Sequence, residues 1–144
     1  MGNQKEIFNL YEWLPGYGEN NVSFRSDKGD VVLTITYDAV DPTQGEYASR
    51  EFIFKSVCSF EVSAFPGIIK PDTEVENFSK ESEGKLSLGS LNEYTDSKIA
   101  DMWTRHFETL EPVRHLQVFF LAENKRFEIF AREVILSEPT YFNE

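Results

Sequence analysis

Cysteine, histidine and basic residues are all scarce in this chain, and each scarcity excludes a class of chemistry. Cys58 is the only cysteine in 144 residues, so no intramolecular disulfide can form. It lies in an alternating apolar run, where a free cysteine behaves as a small hydrophobe. His106 and His115 are the only histidines. A helix end and Pro112 separate them, which is not the close spacing that zinc ligands need. Neither histidine has a nearby Ser or Cys in a strained turn, so no nucleophile and base pair is recognisable. The 8 glycines are scattered and form neither GxGxxG nor GxxxxGK. No phosphate loop, bound metal or cofactor is therefore expected.

Lys and Arg number 14 against 25 Asp and Glu, for a net charge of -11. Affinity for a phosphate backbone comes mainly from Lys and Arg, so nucleic acid is an unfavourable partner. A basic protein is a favourable one. No apolar run approaches the roughly eighteen residues of a membrane span, and the polar start Met1-Gly2-Asn3-Gln4-Lys5-Glu6 has no signal-peptide core. Gly2 lacks the downstream Ser or Thr of a myristoylation motif, because Glu6 stands there. A cytoplasmic location is the expectation.

What the chain has in quantity is aromatic and β-branched residues. Thirteen Phe and a hydrophobic content of 40% can build one dense core, and the length suits one domain over residues 1–144. Ile7 to Leu14 is an apolar opening, helix or strand, stopped by Pro15-Gly16. Val22–Arg25 and Val31–Tyr37 read as strands joined by a turn at Ser26–Asp30, with Gly29 free to take positive φ. Asp38 to Ser49 reads as a loop. Its acids Asp38, Asp41 and Glu46 lack the alternation of a calcium loop.

Arg50 to Ala64 is the longest β signal, with Phe52, Phe54, Cys58, Phe60, Val62 and Ala64 on one face. Residues 66–89 are acid-rich and poor in apolar side chains, which predicts a flexible surface loop with a short strand near Leu86–Leu88. Ile99, Trp103 and Phe107 then recur every four residues. They predict an amphipathic helix over 96–110, capped by Thr95 or Asp96, stopped by Pro112 and packed on the sheet.

Leu116, Val118 and Phe120, a turn at Ala122–Lys125, and Phe127, Ile129 and Ala131 make a β-hairpin. The apolar parity then slips to Val134 and Leu136, which predicts a bulge near Arg132. Phe119 and Phe120 must point to opposite faces, so that sheet is either covered on both sides or displays a binding surface. The expected class is α+β, mainly β: an antiparallel sheet, as a sandwich or half-barrel, with one packed helix.

Trp13-Leu14-Pro15-Gly16-Tyr17 with Val22-Ser23-Phe24 and Val31-Val32-Leu33-Thr34-Ile35 forms one recognisable segment. Glu51 to Val62, with a central Phe-x-x-Val element, forms a second, and His115 to Leu136 a third. Together they resemble the small, acidic, β-rich immunity proteins found beside bacterial polymorphic toxins. The resemblance spans most of the chain outside residues 66–89. It implies a non-catalytic protein that binds and blocks a basic, nuclease-like toxin. Gly18-Glu19-Asn20 stands where such proteins often carry a His-Asp pair, so a role for that pair does not carry over.

Glu12, Trp13, Tyr17 and Glu19 cluster around Pro15-Gly16 and are the expected partner-binding residues. The two acids would steer a basic surface and the two aromatics would anchor it. Trp13 also suits the core, the reading that is favoured for it. The alternative function is a ligand-binding or enzymatic β-domain with a carboxylate-lined pocket between sheet and helix.

Overall fold

The computed structural model describes residues 4–41, 43–64, 89–108, 111–120 and 122–143. In chain order it has β1 (Gln4–Asn9), a 3-10 turn (Leu10–Glu12), β2 (Asn21–Asp27), β3 (Asp30–Asp38), β4 (Tyr47–Lys55) and β5 (Ser59–Ala64). Then follow β6 (Ser90–Tyr94), α1 (Lys98–Phe107), β7 (Arg114–Phe120), β8 (Lys125–Ala131), β9 (Glu133–Leu136) and β10 (Thr140–Phe142). Two five-stranded antiparallel sheets result, ordered β1-β6-β7-β8-β5 and β10-β4-β3-β2, with β9 also on β4. The sheets do not close into a barrel. The mainly β class, with a single α-helix among the described residues, is as expected. The acidic loop predicted over 66–89, with its strand near Leu86–Leu88, lies outside the described residues except for Gly89.

The core lies between the inner faces of the two sheets. Phe52, Phe54, Leu33 and Ile35 from one sheet meet Phe120, Phe127, Leu116 and Ile129 from the other, all essentially without solvent contact. Each such side chain contributes about 1.5–3 kcal/mol by burial. Period-two alternation in these strands is therefore a true report of which side faces inward. The β2–β3 hairpin closes on Lys28 (φ 51°) and Gly29 (φ 92°), both left-handed, flanked by the Asp27–Asp30 pair. That two-residue geometry matches the right-handed twist of the strands.

Four readings need correction. The Arg50–Ala64 run is two strands in different sheets, not one. Ser56 takes φ 53° and turns the chain, so that β4 pairs with β3 whereas β5 pairs with β8. The parity slip at Arg132 is the matching crossing from β8 to β9, not a bulge. The two crossings are tied together: Arg132 N–H donates to the Lys55 carbonyl at 3.0 Å and Cys58 N–H to the Phe130 carbonyl at 2.7 Å. Alternation persists through the crossing because both sheets line the same core, so the pattern conceals the bend. The loop expected over Asp38–Ser49 is shorter, since β3 runs to Asp38 and β4 begins at Tyr47.

The helix is the fourth. It is shorter than 96–110, its cap is Ser97, whose Oγ accepts from Ala100 N–H at 3.1 Å, and Glu108 ends it in the left-handed region at φ 49°. Leu110 lies outside the described residues. Ile99 and Met102 face solvent, and Phe107 is 47% exposed while stacking on Trp103. What seats the helix is Ala100, with Trp103 half-buried, over Val113 and Phe130. Thr104 Oγ1 fixes the rotation by donating to the Ala100 carbonyl at 2.9 Å and accepting from Val113 N–H at 2.8 Å. Polar fastening together with the Ala100 and Trp103 packing turns this face inward and leaves Ile99, Met102 and much of Phe107 in solvent.

Candidate functional site

The chain around Pro15-Gly16 is built by short-range hydrogen bonds. Asn9 Oδ1 accepts from Tyr11 N–H at 3.0 Å and starts the 3-10 turn. Leu14 N–H donates to the Leu10 carbonyl at 2.8 Å, and Gly18 N–H to the Pro15 carbonyl at 2.8 Å. Leu10 and Leu14 are thereby driven into the core, and Gly18 (φ 97°) redirects the chain toward β2.

The four residues expected to bind a partner are divided by this geometry. Glu12 is exposed. Tyr17 is 69% exposed, and its hydroxyl donates to Asp38 Oδ2 at 2.6 Å. Trp13 turns inward instead, its ring 5.1 Å from Tyr37 and 6.3 Å from Phe52, with the Arg50 guanidinium 5.2 Å from it. It belongs to the edge of the core.

Glu19 is not a surface acid: it is only 7% exposed. Its Oε2 accepts from Glu123 N–H at 2.7 Å, while Glu123 Oε1 accepts from Val22 N–H at 3.0 Å. The two carboxylates thus lock the loop before β2 to the β7–β8 turn. Burial pushes the Glu19 carboxyl above its ordinary pKa, opposed by the backbone N–H groups that it accepts from.

Sequence reasoning missed Tyr11, which is 54% exposed. Its ring lies against Gly89, where a Cβ would come 2.4 Å from the Tyr11 Cε2 atom. The opening segment read as either helix or strand, and without a period its side chains could not be assigned to a face. Tyr11 and Tyr17 flank a cleft of about 90 Å³ whose apolar lining includes Leu10, Leu14 and Phe119 and whose polar lining includes Glu19. Among the described residues, Glu12, Glu19, Asp38 and Glu123 make no ion pair.

A second constellation sits between α1 and the outer face of the β7–β8 pair. His115 Nε2 lies 2.8 Å from Glu128 Oε1, and His115 Nδ1 lies 2.8 Å from Ser97 Oγ. The imidazole is held between Tyr94 and Phe130, at centroid distances of 4.5 and 4.3 Å. The hydrogen bond from His115 holds the Glu128 carboxyl below its ordinary pKa. An ionised Glu128 only accepts, so Nε2 carries the proton. In the neutral ring Nδ1 then accepts from the Ser97 hydroxyl, while Ser97 Oγ accepts from Ala100 N–H.

These are the residue types of a nucleophile–base–acid relay, brought together from three elements. The same contacts also fasten the start of α1 to the sheet. No sequence spacing announces them, because His115 and Glu128 meet through strand pairing and Ser97 reaches them only where the start of α1 docks on the sheet. The other nucleophile, Cys58, is half-buried, and burial pushes its thiol pKa up. His106 packs edge-on against Trp103 and Phe107 on the exposed side of α1. Among the described residues, no helix is long and apolar enough to cross a membrane. No family model, no curated protein and no solved structure matches this chain.

Proposed function

We propose that this protein is a non-catalytic binding protein that neutralises a basic protein partner, as an immunity protein neutralises a toxin. The observation that carries this reading is the group of four carboxylates that make no ion pair among the described residues, Glu12, Glu19, Asp38 and Glu123, around the exposed Tyr11 and Tyr17. Charges left without counter-ions create a field that steers an oppositely charged surface, and exposed tyrosines supply contact area at small entropic cost. The net charge of -11 acts in the same direction. Pull-down of the tagged chain from its native cell, with mass spectrometry, tests the reading. One basic protein should be recovered near stoichiometry, released by salt and retained poorly by Tyr17→Ala. Recovery of no basic protein, or recovery indifferent to both salt and the substitution, overturns it.

Ser97–His115–Glu128 favours a second, hydrolytic reading, in which His115 would take the Ser97 proton as general base. Ser97 Oγ is already committed as the cap of α1, which favours the binding reading. A fluorophosphonate probe separates them. Phosphonylation of Ser97, lost in His115→Ala, establishes the hydrolytic reading, and an unlabelled chain leaves the binding one.

A further inference from the structure

We propose that the Tyr11–Tyr17 cleft receives a basic side chain, lysine or arginine, of the protein partner, with its cation directed at the Glu19 carboxylate. This rests on the binding reading above and names the group that the site recognises. Glu19 is almost wholly removed from solvent, yet its neutralising contacts come from backbone N–H groups and not from any Lys or Arg among the described residues. A buried carboxylate without a counter-cation carries a desolvation cost that an incoming cation offsets. Glu123, the nearest charge that acts on Glu19, is itself an acid. The charge that acts on the cleft's carboxylate is therefore negative as well.

The rest of the cleft suits the stem of such a side chain. Leu10, Leu14 and Phe119 offer apolar surface to its methylenes. Tyr11 and Tyr17 complete the lining, and an aromatic ring close to a cation attracts it. Gly18 leaves the chain close to the β7–β8 turn, since a Cβ there would lie 3.2 Å from Ala122 Cβ at a φ of 97° that side chains rarely adopt. An anionic group would meet the Glu19 carboxylate. An apolar side chain would cover Glu19 further and leave its charge without a cation.

The test is an NMR titration of the ¹⁵N-labelled protein with N-acetyl-lysine methylamide and N-acetyl-arginine methylamide, against N-acetyl-norleucine methylamide as the uncharged control. The cationic probes should shift the amides of Gly16, Gly18, Glu19 and Glu123 with saturation, and the norleucine probe should not. Tyr17→Ala should weaken the cationic probes by about fivefold, as loss of one cation–aromatic contact implies. Glu19→Gln, which keeps an acceptor for Glu123 N–H, should abolish the shifts. If that variant does not fold, Tyr17→Ala, altered at an exposed site, carries the test.

Absent shifts, or equal shifts with norleucine, overturn the proposal. So does a captured basic partner that salt releases but that binds Tyr17→Ala and Glu19→Gln as tightly as the parent, an outcome that leaves the binding reading intact. Saturable cationic shifts without any basic partner in the pull-down do the reverse: they retain the cleft's specificity for cationic side chains and remove the binding reading.

Discussion

Glu128 on β8 accepts a 2.8 Å hydrogen bond from His115 Nε2 on the neighbouring β7, and that bond is the main cause of its lowered carboxyl pKa. Two groups more than ten positions apart in sequence thereby fasten a helix start to a sheet, through Ser97. The sign of the pH dependence follows. A carboxyl whose pKa is depressed on folding contributes stability that is full above its unfolded value, about 4.3, and lost as pH falls through the folded value. Denaturation midpoints measured from pH 6 down to pH 2 should fall for the parent chain. In Glu128→Gln that acid limb should be flatter, with a lower plateau at pH 6.

Glu19 has the opposite sign. Its carboxyl pKa is raised by burial, so its contribution favours the folded state at low pH and is lost as pH rises through the interval up to the folded value. Glu19→Gln should therefore keep the parent stability at pH 7 or exceed it. Glu19→Ala leaves Glu123 N–H without its acceptor and should cost about 1–3 kcal/mol. Urea midpoints for the three proteins at pH 7 check this ordering.

Phe107 and Phe127 should respond very differently to truncation. Phe127 is fully buried between the sheets, and Phe127→Ala should cost about 3–5 kcal/mol through lost burial and the cavity left behind. Phe107 is half-exposed on α1, so Phe107→Ala should cost within about 1 kcal/mol. Equal losses in chemical denaturation would mean that the apolar stripe of α1 is packed after all.

At the interface, Glu12→Gln should lower the association rate with a basic partner, and added salt should lower it further, because steering is screened within about 8 Å at physiological ionic strength. Tyr17→Ala should act on the dissociation rate. Trp13→Ala should differ from both, since its ring packs on Tyr37 and Phe52. It should reduce stability by about 3–5 kcal/mol before it reports on binding. Surface plasmon resonance at two salt concentrations, with a parallel melt of each variant, distinguishes the three.

Several elements were legible from the chain alone, and they share a physical character. The β2–β3 and β7–β8 hairpins rest on alternation and turn residues within a few positions, so local sterics and one-sided burial were enough to write them. The exposure of Tyr17 was legible for the same reason, since Pro15-Gly16 forces a turn whatever surrounds it. The Ser97–His115–Glu128 cluster was not, nor was the burial of Glu19, nor the inward turn of Trp13. Each depends on a partner far along the chain: Glu128 for His115, Glu123 for Glu19, Tyr37 for Trp13.

Binary pattern by itself determined that this chain makes antiparallel strands around one phenylalanine-rich core, because a half-buried strand must alternate at period two wherever it lies. Tertiary structure alone decided where the strands change sheet and how α1 is rotated. At Ser56 the alternation runs on through the bend, and at Arg132 the crossing shows only as a slip of parity, since both sheets face the same core and the pattern records burial, not direction. In α1 the apolar stripe competes with the Thr104 and Ser97 hydrogen bonds and the Ala100 packing, and those contacts prevail. Period measures which residues share a face; only the contacts on either side settle what that face meets.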